Sequence, residues 1–472
     1  MVKEHILNRI SDIFKHNPTP SQKNAIDALA SFMVSAKSMP LQLIKGYAGT
    51  GKTSLISSFV NVLGEIGIKC VLLAPTGRAA KVLSNSAGQP AFTIHKQIYR
   101  QKSSKDGFGG FLLGKNLLKD TVFIVDEASM IANNSSSGAV FGSGRLLDDL
   151  IQYVYEAENC RMVLIGDSAQ LPPVGLDVSP ALDAGELEAY GLDMNEVELT
   201  DVVRQTELSH ILQNATYLRE LLMNNLCDDY PKLEIVKGGD VKNITGAELQ
   251  GEINHCYEQF GEEETLIVCR TNKRANQYNI GIRNSILFRE DELSTGDYIL
   301  VMKNNYHWVK EDDKVGFIAN GDIARVVRIK KHYELYGYRF ADVVCELVDY
   351  RAVEIDVRII LDSISSDGAG FSHEQQEKFL STVMEDYADV SPGRKKFELA
   401  RENDFYNALQ IKFAYAMTCH KAQGGQWKAV FIDLGYFTEE YLGRELIRWL
   451  YTAVTRATER LYLVNFPKEF LK

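Results

Sequence analysis

The sequence predicts an α/β protein with two parallel-sheet domains, an inserted finger and an inserted small β-barrel. Short apolar runs recur along the chain, and each leads into a turn or a helical pattern. Such nearly continuous apolar runs are typical of strands buried on both faces of a parallel sheet with helical crossovers. Between about residues 296 and 404 the pattern changes to shorter β runs broken by charged turns, which is typical of a small barrel or meander.

The apolar runs form two sets that are far apart in the chain. The first set is 41–44, 70–73, 122–125 and 162–165, and the second is 266–268, 429–432 and 461–464. A chain of 472 residues is long enough for two or more domains. We therefore predict a first parallel-sheet domain over 1–200, a second over 201–300 and 409–472, and the barrel over 301–408.

Two polar stretches interrupt the first predicted domain. Residues 102–110 are rich in glycine and lysine and carry Phe108, so we expect an exposed finger within about 96–118. Residues 133–144 are rich in serine, asparagine and glycine, which is typical of a surface loop. Both stretches are therefore predicted to lie outside the sheet.

Composition limits the kind of protein and its compartment. No apolar run approaches the length of a membrane span, and the first fifteen residues lack the pattern of a secretory signal. The seven cysteines are scattered and never form a Cys-x-x-Cys pair, which argues for reduced thiols and against a zinc site. We predict a protein of the cytoplasm, associated with the nucleoid if the host is bacterial. The net charge of −11 argues against polyanion binding by the whole surface but permits a local basic groove.

The segment Gly46–Thr53 has the P-loop pattern of a glycine, four variable residues and then Gly-Lys-Thr. A match by chance is expected in about one or two per hundred chains of this length, and here a predicted strand precedes the pattern and a predicted helix follows it. The backbone N–H groups and the helix N-terminus would hold phosphates, Lys52 would reach the β- and γ-phosphates, and Thr53 would ligate Mg²⁺. The predicted nucleotide contacts are Gly46, Ala48, Gly49, Thr50, Gly51, Lys52, Thr53 and Ser54.

Three acidic or amide side chains follow the next apolar strands. Asp126 is placed to hold Mg²⁺, and Glu127 is placed to activate the attacking water. An Asp-Glu pair after a strand is by itself more often part of a solvated turn. Because a P-loop precedes this pair in the sequence, the catalytic interpretation is favoured instead. Gln170 follows a later strand and is expected to sense the γ-phosphate or its water, although a proline-terminated loop is an equally good explanation of that segment alone.

Two arginines are candidates for an arginine finger. Arg204 follows the first predicted domain, and Arg456 lies near the end of the second. Helical spacing puts Arg456 on the face of its helix opposite an apolar stripe that includes Leu450 and Val454. Such an arginine is usually a solvated partner of nearby acids. If it instead reaches the nucleotide from the facing domain, hydrolysis depends on closure of the cleft.

The order of these motifs resembles that of superfamily 1 helicases of the RecD-like branch, which includes the Pif-type and Dda-type helicases. The resemblance covers nearly the whole chain and implies two RecA-like domains. The segment Asn320-Gly321-Asp322 resembles the entry to the small Src-homology-type barrel of that family, and the finger near Phe108 would be the wedge that splits the duplex or its support. The resemblance also implies 5′-to-3′ movement and settings in DNA replication, repair, recombination or telomere maintenance.

The resemblance adds further site residues, motif by motif. Gln22 would recognise adenine, and Gly424 would contact the nucleotide. The residues implied to bind DNA are Pro75, Thr76, Arg78, Thr93, His95, Thr271, Asn272, Thr418, His420 and Lys421. This chain departs from the family at Ala422 and Gln426, where serine and glutamate are frequent, and the departure puts a contact from Gln426 to the ribose in doubt.

The expected protein is therefore an ATP- and Mg²⁺-dependent motor on single-stranded DNA. Tailed or forked duplexes are its expected substrates, and a monomer is the expected working form. Two alternatives stay open: an RNA helicase or RNP-remodelling ATPase built on the same core, and a P-loop switch that hydrolyses ATP slowly without moving. Comparing the stimulation of ATP hydrolysis by DNA and by RNA oligonucleotides would test the first alternative, because the 2′-OH group distinguishes the two nucleic acids. A P-loop switch would not need Arg456 or a second complete α/β domain, so both features argue against the second alternative.

Overall fold

Two parallel sheets and one closed barrel organise the chain. This computed structural model describes residues 2–14, 17–101, 111–133, 141–202, 209–309, 317–348, 350, 353–366, 368, 370–391 and 393–472. Each sheet with its helices forms a lobe, and the barrel is inserted in the second lobe. The predicted α/β architecture of two RecA-like parallel-sheet domains and an inserted barrel is confirmed.

The first lobe is built on a six-stranded sheet in the order β3-β2-β6-β7-β1-β8, with every pair parallel. Its strands are β1 Pro40–Gly46, β2 Lys69–Ala74, β3 Ala91–Thr93, β6 Thr121–Val125, β7 Arg161–Gly166 and β8 Asp193–Leu199, and a separate hairpin consists of β4 Tyr99–Gln101 and β5 Phe111–Leu113. Its helices are α1 Val2–Ile13, α2 Pro20–Val34, α3 Lys52–Glu65, α4 Gly77–Ala87, α5 Ile94–Ile98, α6 Leu146–Tyr155 and α7 Ala184–Ala189.

The second lobe is built on a five-stranded parallel sheet in the order β16-β10-β17-β18-β9. Its strands are β9 Val241–Ile244, β10 Thr265–Cys269, β16 Ala416–Thr418, β17 Trp427–Asp433 and β18 Ala457–Val464. Its helices are α8 His210–Met223, α9 Gly246–Phe260, α10 Asn272–Ser285, α14 Cys419–Ala422 and α15 Arg444–Val454.

The central strands β6 and β10 are buried on both faces, which explains the nearly continuous apolar runs in the sequence. In β6, Val122 and Ile124 enter one core of the first lobe, whereas Phe123 and Val125 enter the core on the opposite face. Successive side chains of a strand point to opposite faces, so a strand between two helical layers needs an apolar residue at every position. In the second lobe β10 follows the same rule, with Leu266 and Val268 in one core and Ile267 and Cys269 in the other.

The barrel contains β11 Tyr298–Val301, β12 Ile323–Leu335, β13 Tyr338–Leu347, β14 Val353–Ile360 and β15 Leu409–Phe413. All of its pairs are antiparallel except β14 with β15. Its first and last strands lie partly or wholly outside the predicted range of 301–408. Because β11 and β15 pair with each other, closure draws both ends of the insert together beside the second lobe.

Between β14 and β15 the described residues form three helices: α11 Asp362–Ser365, α12 His373–Glu385 and α13 Gly393–Glu402. The expectation of β runs up to about residue 404 is therefore corrected. A capping box formed by Ser372 and Gln375 begins α12, and the helix buries Phe379 and Val383 against Phe340 of the barrel. The capping pattern of serine followed three residues later by glutamine was the overlooked signal in the sequence.

The hairpin β4–β5 corresponds to the base of the predicted finger. Phe111 of this hairpin packs against Phe141 and against Tyr306 beside the barrel, with ring centroids 5.0 and 4.2 Å apart. The finger tip with Phe108, and most of the predicted loop at 133–144, lie outside the described residues. No helix in the described ranges is long and apolar enough to span a membrane.

Candidate nucleotide and nucleic-acid sites

The three nucleotide motifs of the first lobe meet at one edge of its sheet. Strands β6, β7 and β1 are neighbours, and each is followed at its carboxyl end by one motif: Asp126, Asp167 and the P-loop. Ligands of open parallel sheets bind at this edge because the loops there leave a crevice between helices. The tertiary structure thus brings together motifs that lie far apart in the sequence.

The P-loop adopts a backbone that depends on glycine. Gly49 has φ 75° and Gly51 has φ 86°, and both angles lie in the left-handed region that other residues rarely adopt. Lys52 begins α3, and its ammonium group donates to the carbonyl oxygens of Gly46 at 2.7 Å and Tyr47 at 2.9 Å. The same nitrogen lies 3.8 Å from a carboxylate oxygen of Asp167. Thr53 and Ser54 are exposed on the first turn of α3, beside the helix N-terminus.

Asp126 and Glu127 form an acidic pair at the end of β6. Burial, followed by the neighbouring Glu127 carboxylate, raises the pKa of Asp126 to about 7, whereas the Glu127 N–H and Lys52 lower it. Glu127 has φ 53°, an unusual backbone for a non-glycine residue that sets the direction of its side chain. Because burial disfavours the negative charge of Asp126, a cation at this position would be stabilising.

The residues present fit Mg²⁺ bound together with a phosphate ligand. Mg²⁺ is usually held by one or two carboxylates, with phosphate oxygens and water completing its octahedron. Asp126 supplies a carboxylate, and Thr53 supplies a hydroxyl beside the P-loop. No cluster of three His, Cys, Asp or Glu side chains that could hold a metal occurs within the described ranges. Phosphate oxygens of a nucleotide would complete the shell that Asp126 and Thr53 begin.

Gln22 lies against the P-loop. Its side-chain N–H₂ donates to the carbonyl oxygen of Thr50 at 2.8 Å, and its side-chain oxygen accepts from the Thr19 N–H at 2.9 Å. The second bond is half of a capping box at the start of α2. Gln22 therefore links this helix to the phosphate cradle, and its predicted contact with adenine would add to these two bonds or replace one of them.

Tyr451 of α15 is a buried residue that the sequence reasoning missed. Its hydroxyl donates to a carboxylate oxygen of Asp167 at 2.7 Å and accepts from the P-loop N–H of Ala48 at 2.8 Å. A backbone N–H of the phosphate cradle thus donates its hydrogen bond to a side chain of the second lobe. The available sequence signal was the tyrosine five residues before Arg456, on the helix that precedes that arginine.

The segment after Asp167 is also bonded to the second lobe. The N–H of Leu171 donates to the Thr452 hydroxyl at 2.9 Å, and its carbonyl oxygen accepts from the Gln423 side chain at 2.7 Å. Gln170 is buried, and its side-chain oxygen has no hydrogen-bond partner among the described residues. The predicted sensor residue therefore lies beside a peptide held from both sides by the opposite lobe.

Arg456 is buried two residues beyond the end of α15, and its bonds within the described part of the chain stay in its own lobe. Its guanidinium donates to the Thr452 carbonyl oxygen at 2.9 Å, to the Gly425 carbonyl oxygen at 3.0 Å and to the Thr455 hydroxyl at 3.1 Å. The preceding helix α15 nevertheless contacts the P-loop through Tyr451. Arg204, the other finger candidate, lies outside the described residues.

Four predicted DNA-binding threonines occupy equivalent places in the two lobes. Each is the N-cap of a helix that follows a parallel strand: Thr76 begins α4, Thr93 begins α5, Thr271 begins α10 and Thr418 begins α14. Thr93 is aligned with Ala74, two residues before Thr76, and Thr418 is aligned with Cys269, two residues before Thr271. The caps therefore line the same edge of each sheet, where helix N-termini favour phosphate.

The remaining candidates surround these caps. Arg78 lies over the Trp427 ring at 4.2 Å and donates to the Gln426 carbonyl oxygen at 3.0 Å, so it joins the two lobes. Lys421 donates to Asn320 beside the barrel, and burial lowers the pKa of Lys421 to about 8. Asn272 is the first residue of α10, Pro75 directly precedes the Thr76 cap, and His420 is exposed on α14.

Two predicted residues have surroundings that the sequence did not indicate. His95 packs edge-on against Phe141, with ring centroids 4.8 Å apart, and burial lowers the pKa of His95 to about 4. It is therefore neutral at physiological pH. Gly424, assigned to the nucleotide, lies against α4: a Cβ added there would come within 2.9 Å of the Ala79 Cβ and 3.2 Å of the Thr76 hydroxyl. This glycine lies on the side of the predicted DNA contacts.

Comparisons with known proteins agree with this arrangement. An AAA-domain family model matches residues 17–236, and a UvrD-like helicase C-terminal domain model matches residues 413–464. The ATP-dependent DNA helicase Dda of Enterobacteria phage T4 is 26% identical over 94% of this chain and 99% of the phage protein. The ATP-dependent RecD2 DNA helicase of Deinococcus radiodurans is 24% identical over 94% of this chain and 50% of its own length.

The chain is also similar to a larger archaeal protein and to a solved helicase structure. The protein MJ1519 of Methanocaldococcus jannaschii is 22% identical over 94% of this chain, which spans only 38% of that larger protein. A crystal structure of Pif1 helicase from Bacteroides, in complex with ADP-AlF3 and ssDNA, has a TM-score of 0.47 at 14% identity, covering 97% of this chain and 95% of that one.

Proposed function

We infer that this chain, which belongs to the superfamily 1 helicases of the RecD-like branch, is an ATP-driven DNA helicase that moves 5′-to-3′ along single-stranded DNA. The observation that carries the inference is the contact between α15 and the nucleotide motifs. Tyr451 bonds to the P-loop and to Asp167, and the adjacent Thr452 bonds to Leu171. The second lobe is thereby placed to respond to the occupant of the cradle.

The nucleotide chemistry follows from the first lobe. Lys52 would exchange its bonds to Gly46 and Tyr47 for bonds to the β- and γ-phosphates. Glu127 would take a proton from the attacking water, and the buried Asp126 would hold the metal shell. Bound Mg²⁺ would supply positive charge that neutralises the phosphate oxygens during transfer.

The coupling of the lobes would follow from the same contacts. Phosphate oxygens would compete for the Ala48 N–H, which donates to the Tyr451 hydroxyl. ATP binding would therefore release Tyr451, shift α15 and bring Arg456 towards the γ-phosphate. This movement would change the distance between the caps of the first lobe and those of the second, and repeated cycles would move the strand. The grip acts on phosphates, so it requires no base sequence.

The experiment is an unwinding assay on duplexes that carry a 5′ tail or a 3′ tail, with deoxyribose or ribose in the tail. We expect unwinding of the duplex with a 5′ DNA tail, in the presence of ATP and Mg²⁺, by a monomer. Lys52→Ala is the inactive control, because the cradle loses the charge that reaches the phosphates. Unwinding from the 3′ tail would reject the direction, and preference for ribose would favour an RNA helicase. Stimulated hydrolysis without movement would favour a switch.

A further inference from the structure

A cavity lies beside the P-loop, between the two lobes. Its volume is about 190 Å³, and its lining includes Tyr47 of the P-loop, residues 167–170 after β7, Arg219 of α8 and Arg448 of α15. Lys52, Thr53 and Glu127 are not among the lining residues in the described part of the chain. The cavity therefore adjoins the nucleotide motifs without being formed by the catalytic lysine or glutamate.

Unpartnered polar atoms are concentrated around this cavity. Within the described ranges, six buried side-chain nitrogen or oxygen atoms have no hydrogen-bond partner, and four of them belong to residues that line it. These four atoms are Ser129 Oγ, Gln170 Oε1, Arg219 Nε and Arg448 Nε. Buried polar groups are almost always paired, because an unpaired group has lost its water without compensation. Their concentration indicates a polar ligand.

The charges of the lining favour an anion. Three arginines line the cavity, and their described hydrogen bonds go to neutral oxygens: Arg448 to the Asp177 carbonyl, Arg444 to the Leu222 carbonyl and the Asn225 side chain, and Arg219 to the Thr200 carbonyl. Two acids, Asp167 and Asp177, also line the cavity. Asp167 already accepts from Tyr451 and lies near Lys52.

Arg448 is the buried member of this arginine set. Its side chain is only 8% exposed, and burial and then the neighbouring Arg444 lower its pKa. Like charges in a desolvated site repel each other, so an anion between them would relieve the repulsion. A guanidinium is also the side chain best suited to phosphate, because its planar N–H groups match the spacing of phosphate oxygens.

We propose that this cavity binds inorganic phosphate and holds the anion that ATP hydrolysis produces beside the P-loop. The monohydrogen form has one O–H donor and further oxygens that accept. It would donate to Gln170 Oε1 and accept from Ser129, Arg219 and Arg448, which pairs all four unpartnered atoms with a single ligand. The proposal rests on the proposed function, because ATP hydrolysis is the source of the phosphate.

The test is calorimetric titration of the 472-residue chain, purified free of nucleotide, with inorganic phosphate at constant ionic strength. The P-loop can also bind phosphate, so the Lys52→Ala variant is used to weaken the cradle while leaving the cavity lining intact. We expect Lys52→Ala to retain a phosphate site. Adding Arg448→Gln to it should weaken that site at least about tenfold, because a charged hydrogen-bond donor is removed.

Two further variants, both made in the Lys52→Ala background, keep the outcome interpretable. Ser129→Ala removes one unpartnered hydroxyl with little change of volume and should weaken phosphate binding about threefold or more, even if Arg448→Gln perturbs folding. Arg460→Gln is the matched control, because Arg460 donates to the Gly239 carbonyl oxygen in the second lobe and does not line the cavity. Thermal unfolding of each variant reports whether the fold is retained.

Either of two results would overturn the proposal: no phosphate binding by Lys52→Ala, or unchanged binding after Ser129→Ala and Arg448→Gln are both introduced into a folded Lys52→Ala protein. The result is separable from that of the unwinding assay, because binding is measured without turnover. A protein that binds phosphate here but does not hydrolyse ATP would contradict the proposed function alone. A working helicase without this phosphate site would contradict only the cavity assignment.

Discussion

At the scale of single residues, Tyr451 links the second lobe to the nucleotide motifs of the first. It belongs to the second lobe, yet its hydroxyl satisfies a P-loop N–H and a buried carboxylate of the first. Burial, then the nearby Asp167 charge and its hydrogen bond, raise the pKa of Tyr451. The phenol therefore stays neutral and keeps its proton for Asp167. A nucleotide that needs the Ala48 N–H must displace this hydroxyl.

We expect Tyr451→Phe to bind ATP more tightly, because the nucleotide then has no hydroxyl to displace from the Ala48 N–H. A typical net hydrogen bond of about 0.5–1.5 kcal/mol corresponds to about a two- to tenfold decrease in the dissociation constant. Titration of both proteins with a fluorescent ATP analogue measures this change in the dissociation constant.

The matched control for that substitution is Tyr415→Phe. Tyr415 is another buried tyrosine that donates to a buried aspartate, Asp297, at 3.0 Å, but it lies at the root of the barrel. Both variants should lose thermal stability, and only Tyr451→Phe should change ATP affinity. Equal or weaker ATP binding by Tyr451→Phe would show that the hydroxyl does not compete with the nucleotide.

At the scale of helices and strands, the repeated feature is a parallel strand followed by a threonine-capped helix. The threonine hydroxyl of Thr76 accepts from the Ala79 N–H, and that of Thr271 accepts from the Arg274 N–H. A cap satisfies one of the four free N–H groups of the helix and leaves others for a ligand. The same threonine can therefore serve the fold and the proposed DNA grip at once.

We expect Thr76→Ala to lower stability by about 1 kcal/mol through loss of the cap, and also to weaken binding of single-stranded DNA. Thr76→Ser, which keeps the hydroxyl, should restore both properties. Ser372→Ala removes a comparable cap from α12, away from the four threonine caps, and should leave DNA affinity unchanged. Anisotropy with a labelled oligonucleotide and chemical unfolding measure the two effects, and a normal DNA affinity in Thr76→Ala would remove this cap from the grip.

At the scale of the whole molecule, the lobes meet through specific bonds as well as apolar packing. One continuous core contains Tyr47 and Leu171 of the first lobe together with Trp449 and Leu450 of the second. Within it, the Leu171 peptide is bonded on both sides to the second lobe. A movement of α15 therefore acts directly on the segment that contains Gln170.

We expect Thr452→Val, which keeps the side-chain shape, to reduce the stimulation of ATP hydrolysis by DNA. The buried Leu171 N–H loses its acceptor, and a change of one to two kcal/mol corresponds to a factor of about 5–30. Steady-state hydrolysis with and without an oligonucleotide measures the ratio. Thr458→Val is the control, because Thr458 bonds to the Trp427 carbonyl oxygen within its own lobe. Unaltered stimulation in Thr452→Val would exclude this route of coupling.

Local sequence determined the two sheets and the phosphate cradle of this protein. A strand buried on both faces must be apolar along its length, and a P-loop needs glycine and Gly-Lys-Thr at fixed spacing, so both are visible in short windows. The helices α12 and α13 were missed, although the capping box of α12 is a local signal. The roles of the individual site residues remain predictions.

Only the tertiary structure decided which distant groups face each other. Tyr451 contacts Ala48, and Gly424 contacts Ala79, although the residues of each pair are hundreds of positions apart in the sequence. The four unpartnered atoms around the interlobe cavity likewise come from both lobes. No local pattern encodes these encounters, because they depend on how the two lobes pack. The physical reason is that propensity and periodicity act over a few residues, whereas a shared cleft is set by the packing of whole surfaces.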